Sequence, residues 1–276
     1  MNGILTIAQL TWLEARRRRI VLAAVLCGLA FLLVFGIALY FMPPRLLTGP
    51  GAVLARIQLQ VMTLAGLYVV NFLLIAFAVM LPVDSLSGEI ASGVMQTLAS
   101  KPISRLQILL GKWLVYWLML AAYMLLMVLG IVAEMGFLTG FAQHNLLPAL
   151  GLMQLEASVL LSITMAGGVR FSTVTNGIVA FGFYAVAFIG GWIEQIGVVL
   201  GNAPSRYIGT AISLVSPSDA LSRLAMHVLQ PPVMAQVQAS PFGSASVPSM
   251  AMVVWSVAYV VVALAIATRG FNRRAL

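Results

Sequence analysis

The groups able to do chemistry in this chain are few, and their scarcity narrows what it can be. The 276 residues contain two histidines (His144, His227), two aspartates (Asp84, Asp219) and one cysteine, Cys27. Neither histidine stands in an HExxH or other metal-ligand spacing, and there is no cysteine cluster, so a zinc centre is not expected. The aspartates and histidines all fall between the long apolar runs. That leaves no aspartate pair and no Ser–His dyad for catalysis at membrane depth. Gly111-Lys112 is followed by Trp113, and no GxxxxGK[ST] sequence occurs, so the chain has no P-loop with which to bind ATP itself. What remains are carboxylates and amides inside apolar runs. Glu156 lies about ten residues into one such run, and an acid at that depth is costly and a functional candidate by default. Two roles are open to it: a buried structural hydrogen bond, or a place on a substrate or ion path. Asn71, Gln58, Gln60 and Gln154 read first as interhelical hydrogen-bonding groups, and Asn71 stands beside Glu156 as a second candidate for the path. Glu134 and Glu194, at the ends of runs, read as interface-facing acids. The 15 methionines read as packing material.

These groups have to be positioned by elements that live in lipid. Apolar residues make up 62% of the chain and charged residues 8%, against roughly 45–50% and about 25% in soluble domains. This excludes a soluble enzyme, a nucleic-acid-binding domain and a disordered protein. Six charge-poor runs are each close to the ~20 residues a helix needs to cross the hydrocarbon: residues 20–42, 57–81, 113–133, 147–169, 174–193 and 250–268. No β-barrel alternation is visible, so the expected fold is an all-α bundle of six transmembrane helices in one transmembrane domain spanning residues 1–276. The net charge of +8 follows from basic loops rather than from a nucleic-acid partner. Eleven of the 15 Lys and Arg residues fall on one side when both termini are placed in the cytoplasm; only Arg45, Arg56, Arg206 and Arg223 fall outside.

Three segments outside the spans have character. Residues 2–17, followed by Arg16–Arg19, suggest a helix lying in the interface and leading into the first span. In the cytoplasmic loop 82–112, Ile90, Val94 and Leu98 recur every four residues as a narrow apolar stripe. Pro102 stops the short helix they define, and Lys101 and Arg105 flank the stop. Such a helix can rest on the bilayer or dock into a groove of a soluble partner. In the outer loop 195–249, Ser216-Pro217-Ser218-Asp219 reads as a helix start with Ser216 as N-cap. Asp219, Arg223 and His227 follow at i,i+4 spacing, and short helices packed on the outer end of the bundle are expected.

The loop passage from Asp84 through Glu89, Gly93, Leu98, Lys101-Pro102 and Ser104-Arg105 to Gly111-Lys112 resembles the loop of ABC-2 type transporter permeases. In these an acidic residue precedes a Gly by four positions. A Pro-x-Ser-Arg passage and a Gly-Lys at the mouth of the third span follow. Glu14-Ala-Arg16 resembles the family's entry segment. Ser216-Pro217-Ser218-Asp219-Ala220 is similar to a passage in the branch that includes bacitracin-export, gliding-motility and nitrous-oxide-reductase maturation permeases. Val94 departs from the Thr that many members carry after the loop glycine.

The resemblance implies a permease subunit of an ABC transporter in a bacterial inner membrane, with both termini cytoplasmic. It implies that two permease chains pair, as a homodimer or heterodimer, and that two ATPase subunits dock beneath them. ATP and Mg would sit on that partner and no cofactor on this chain. The loop helix would be a coupling helix, with Glu89, Ile90, Gly93, Val94, Leu98, Pro102 and Arg105 at the ATPase contact. The expected activity is ATP-driven movement, outward, of a hydrophobic or amphipathic substrate. The alternative is a membrane scaffold that transmits ATPase strokes to an extracytoplasmic partner and transports nothing.

Overall fold

A computed structural model describes residues 3–41, 52–91, 104–143, 145–230 and 246–273. Within them lie ten helices: α1 (Gly3–Arg16), α2 (Arg19–Tyr40), α3 (Ala52–Met80), α4 (Ser87–Ala91), α5 (Arg105–Thr139), α6 (Leu146–Gly168), α7 (Thr173–Val199), α8 (Ala203–Val215), α9 (Ser218–Leu229) and α10 (Met250–Arg273). Six of these, α2, α3, α5, α6, α7 and α10, are long and apolar enough to cross a membrane. No strand occurs among the described residues. A helix satisfies its backbone hydrogen bonds internally, which is what hydrocarbon demands of each of these segments.

The spans alternate in direction, so that Arg16–Arg19, Lys112, Arg105, Arg170 and Arg273 share one end of the bundle. Cross-helix contacts at this basic end fix the alternation. The start of α5 meets the end of α10 where Arg105 donates to the Phe271 carbonyl. The end of α3 meets the start of α7 where Thr173 Oγ1 donates to Asp84 Oδ1 at 2.8 Å.

The helix α6 is central: it packs against α3, α5, α7, α9 and α10. Its polar residues Gln154, Glu156, Ser158, Ser162 and Thr164 are buried. Ser158 and Ser162 donate back to the carbonyls four residues earlier. They also accept from the indole N–H groups of Trp117 and Trp113, both at 3.0 Å, which stitches α5 to α6. Gln154 Nε2 adds a bond to the Trp117 carbonyl at 3.1 Å.

The third spanning helix is longer than the apolar run that marks it. At 35 residues it extends about 50 Å, beyond the ~30 Å hydrocarbon. It starts with a capping box: Ser104 Oγ accepts from the Gln107 N–H, and Gln107 Oε1 accepts from the Ser104 N–H. Gly140 closes the other end in the left-handed conformation, at φ 67°. The helix α1 lies across the basic end of α5. Ile7, Thr11 and Ala15, one turn apart, are buried, while Leu5, Leu10, Trp12 and Leu13 stay exposed, an apolar face of the kind that rests in a bilayer interface.

The two short helices between α7 and α10 do more than cap the far end. The helix α8 returns along α7: a Cβ on Gly209 would lie 2.4 Å from Glu194 Cβ, and one on Gly191 would lie 1.8 Å from Asp219 Oδ2. Glycine at 209 lets the backbones of α7 and α8 meet, and glycine at 191 leaves room for the Asp219 side chain of α9. The helix α9 then runs back through the core toward the end opposite the basic one. Its last residue, Leu229, receives bonds at its carbonyl from Gln60 Nε2 (3.0 Å) and Gln143 Nε2 (2.7 Å). Near its other end, Ser222 accepts from Asn71, which is about 16 Å further along α3 than Gln60. The turn at Ser216 and Pro217 is therefore inside the bundle and buried, the condition under which non-helical backbone is tolerated at such depth. Ser216 ends α8 and the next helix opens at Ser218, with Pro217 rather than Ser216 at its N-cap.

Candidate functional site

Two places hold the residues singled out in the sequence. The first is at the basic end. Lys112, one residue before the apolar run of α5, is 2% exposed. Its ammonium donates to the Ser85 carbonyl at 3.2 Å and to Ser85 Oγ at 3.4 Å, and it forms an ion pair with Glu89. Glu89 stands in α4. A lysine buried this fully needs a partner and its hydrogen bonds, and these come from the turn and short helix that follow α3. The same turn is held from the other side. Ser87 Oγ shares a bond of 2.9 Å with Thr173 Oγ1, and Asn176 Nδ2 donates to the carbonyls of Val83 (3.3 Å) and Thr164 (2.9 Å). Residues 83–89 are thus fastened to α5 and α7 together.

Arg105 is turned to the last span. Its guanidinium donates to the Phe271 carbonyl and lies over the Phe271 ring at 5.4 Å. Of the other loop residues, Ile90 has a helical backbone in α4, while its side chain and all of Gly93, Val94, Leu98 and Pro102 lie outside the described residues.

The second place is in the membrane core. Glu156, wholly buried, accepts from Asn71 Nδ2 at 3.0 Å through Oε2. The same amide group donates to Ser222 Oγ at 3.0 Å. The two separate candidates are therefore one cluster, and α9 supplies its third member. Two acceptors in it, Glu156 Oε1 and Asn71 Oδ1, have no hydrogen-bond partner among the described residues. Ser222 carried no signal in the sequence, since a serine in a segment that reads as a peripheral helix gives no hint of a contact at membrane depth.

A third cluster, around Arg223, was half legible. Arg223 is 6% exposed. Its Nε donates to Asp219 Oδ2 at 2.8 Å, and its Nη2 donates to Glu194 Oε2 at 2.9 Å. Further bonds run to the Ser246 carbonyl at 3.3 Å and Ser213 Oγ at 3.4 Å, and Ser246 Oγ donates to the other oxygen of Glu194. The i,i+4 spacing announces the Asp219 pair. Nothing local announces Glu194, 29 positions earlier, which is a cluster member rather than an acid facing water. One arginine thereby locks α7, α8, α9 and the approach to α10.

Among the described residues no group of three or more His, Cys, Asp or Glu side chains could hold a metal ion. The three clusters are suited to holding helices in register and to moving them together.

A family model described as ABC-2 family transporter protein matches residues 5–276. No curated protein matches the chain. The family's members are membrane components of ATP-driven transporters and in general carry no catalytic site of their own. With a match over nearly the whole length and six helices fit to cross a bilayer, the chain belongs to the ABC-2 transporter family, as a multi-pass permease subunit of an ABC transporter.

Proposed function

We propose that this permease exports a hydrophobic or amphipathic substrate. ATP hydrolysis on a separate ATPase subunit drives it, and the stroke enters through the loop between α3 and α5. The observation that supports this most is the fastening of that loop. Glu89 and Ser85 are joined to Lys112 at the foot of α5, and Asp84 and Ser87 to Thr173 at the foot of α7. A push on α4 and on the residues after it is therefore felt by three spans at once. With the basic end in the cytoplasm, the ATPase would seat against residues 89–105, with Ile90, Gly93, Val94, Leu98 and Pro102 as the docking surface. Glu89 then has a double part, at the edge of that surface and as the link to Lys112. Arg105 relays the same motion to α10 through Phe271. Two copies of the chain, each with an ATPase holding ATP and Mg, would rock against one another and open a path alternately to each side.

The apolar spans favour a substrate with a large hydrophobic part over a bare ion. The Asn71–Glu156–Ser222 cluster is the polar feature such a substrate's head would meet, because it offers two buried acceptors with no partner among the described residues. The test is reconstitution of the chain with its ATPase into vesicles carrying fluorescent amphiphiles, including a headgroup-labelled phospholipid. ATP-dependent movement that Val94→Asp abolishes, with the complex still assembled or with the ATPase lost, supports the reading. Hydrolysis without movement of any amphiphile, together with a protein bound to residues 195–249, would instead favour a scaffold that transmits strokes outward.

A further inference from the structure

A groove on the lipid-facing surface has no place in the account above. It lies between α2, α3 and α5 and has a volume of about 250 Å³. Its walls are apolar and include Ile20 and Cys27 of α2, Leu73, Phe77 and Met80 of α3, and Tyr123 of α5; one side is open. The register follows from the antiparallel spans. Ile20 and Met80 are at the basic end, and Cys27 and Leu73 lie about 10 Å deeper at 1.5 Å per residue. The Tyr123 ring, edge-on to Phe77 at 5.1 Å between centroids, stands at the deep end. The groove extends along the helices, from the basic end toward the middle of the bundle.

Its mouth is charged. Arg19 immediately precedes Ile20, and the side chains of Arg16, Arg17 and Arg19 are exposed. The one acid of this stretch, Glu14, is taken by Arg18 at 2.5 Å. Positive charge is therefore left over at the level where lipid headgroups lie, directly beneath an apolar slot.

We propose that this groove seats one acyl chain of an anionic phospholipid from the leaflet at the basic end, with the headgroup phosphate held by Arg17 and Arg19. The proposal needs only that the six helices span a bilayer, and stands whether or not the chain is an exporter. The charge is complementary to an anionic headgroup. The slot has room for part of one chain, and its apolar walls offer a headgroup no partner. A resident lipid here would brace α2, the least buried span, against α3 and α5.

Cys27, the chain's single cysteine, lines the slot and is exposed, so the native protein carries its own probe. The full chain is placed in nanodiscs of phosphatidylcholine alone, or with phosphatidylglycerol added, and alkylation of Cys27 by N-ethylmaleimide is timed. Leu26→Cys in a Cys27→Ala background is the depth-matched control, because Leu26 is 55% exposed and is not part of the groove wall. Alkylation of Cys27 should slow several-fold when phosphatidylglycerol is present, while the control changes little. Arg17→Gln/Arg19→Gln should remove the protection, at roughly five-fold in lipid affinity per arginine. The proposal is overturned by equal rates in the two lipids, including a uniformly slow rate of the kind a second copy seated over the groove would give. It is also overturned by equal slowing at the control position, or by protection that survives the double arginine substitution.

Discussion

Replacing Arg223 by Met should be among the most damaging single changes in this chain. The side chain is 6% exposed, and the carboxylates it joins are 9% (Asp219) and 12% (Glu194) exposed. Its removal leaves two buried acids with no shared cation and frees the bonds to Ser246 and Ser213. Breaking one buried pair by removing a partner costs about 3–5 kcal/mol. Two pairs share this cation, and neighbouring losses do not simply add, so the upper end of that range, about 5 kcal/mol, is the expectation. For a chain of this size that is a fall of about 10–20 °C in melting temperature, read by size-exclusion thermostability in detergent. Arg223→Lys should recover less than half, because the bonds to Asp219 and Glu194 leave from different nitrogens, Nε and Nη2, and one ammonium cannot occupy both places. Arg223→Met combined with Asp219→Asn and Glu194→Gln should regain several degrees, since the cost lies in uncompensated charge. A single variant melting within about 2 °C of the parent, or a triple variant no better than the single, would refute this reasoning.

Four further outcomes are expected. Lys112→Met should cost about 3–5 kcal/mol, and adding Glu89→Gln should return a part of it, a coupling that a double-mutant cycle on thermal stability measures directly. Glu156→Gln should hold stability or raise it by about 1 kcal/mol, because an amide can accept from Asn71 Nδ2 and donate to the unpartnered Asn71 Oδ1. Asn71→Leu, which strips Glu156 of its one bond, should instead cost about 1–3 kcal/mol; both are read from melting curves. Gly191→Leu should separate α7 from α9, since even a Cβ would lie 1.8 Å from Asp219 Oδ2, and the loss should match or exceed the 1–3 kcal/mol of an overpacked core.

The spans were legible because the bilayer imposes a simple rule, about 20 apolar residues per crossing, and each of the six runs matches a spanning helix, three of them overrunning its end by one or two residues. The ends were less so. Ser104-x-x-Gln107 is a capping-box pattern, yet Arg105 and Lys112 interrupt the apolar count, so the run opens at Trp113 while the helix opens at Arg105. Lys112 reads as a solvated boundary charge and is buried, because its partners come from a turn 23 to 27 positions earlier. The amphipathic pattern of residues 218–229 announces a helix but not its depth. A helix with polar residues on one face can lie on a surface or pass through a core that offers Asn71, Gln60 and Gln143 to meet them. For the same reason Glu156 and Asn71 could each be named from the sequence while their joining through 3.0 Å could not. Pairings separated by 85 or 151 positions are set by tertiary packing, and local spacing carries no trace of them.

The most direct measurement on the central claim is purification of the tagged full chain from its native membrane, followed by assay of ATP hydrolysis and of the bound subunit's stoichiometry. The parent and a variant lacking residues 89–98 are compared. The account predicts one nucleotide-hydrolysing subunit per permease chain in the parent, and its loss in the deletion variant while the spans still insert. A parent that purifies with no ATPase, or a deletion that keeps it in full, would contradict the account.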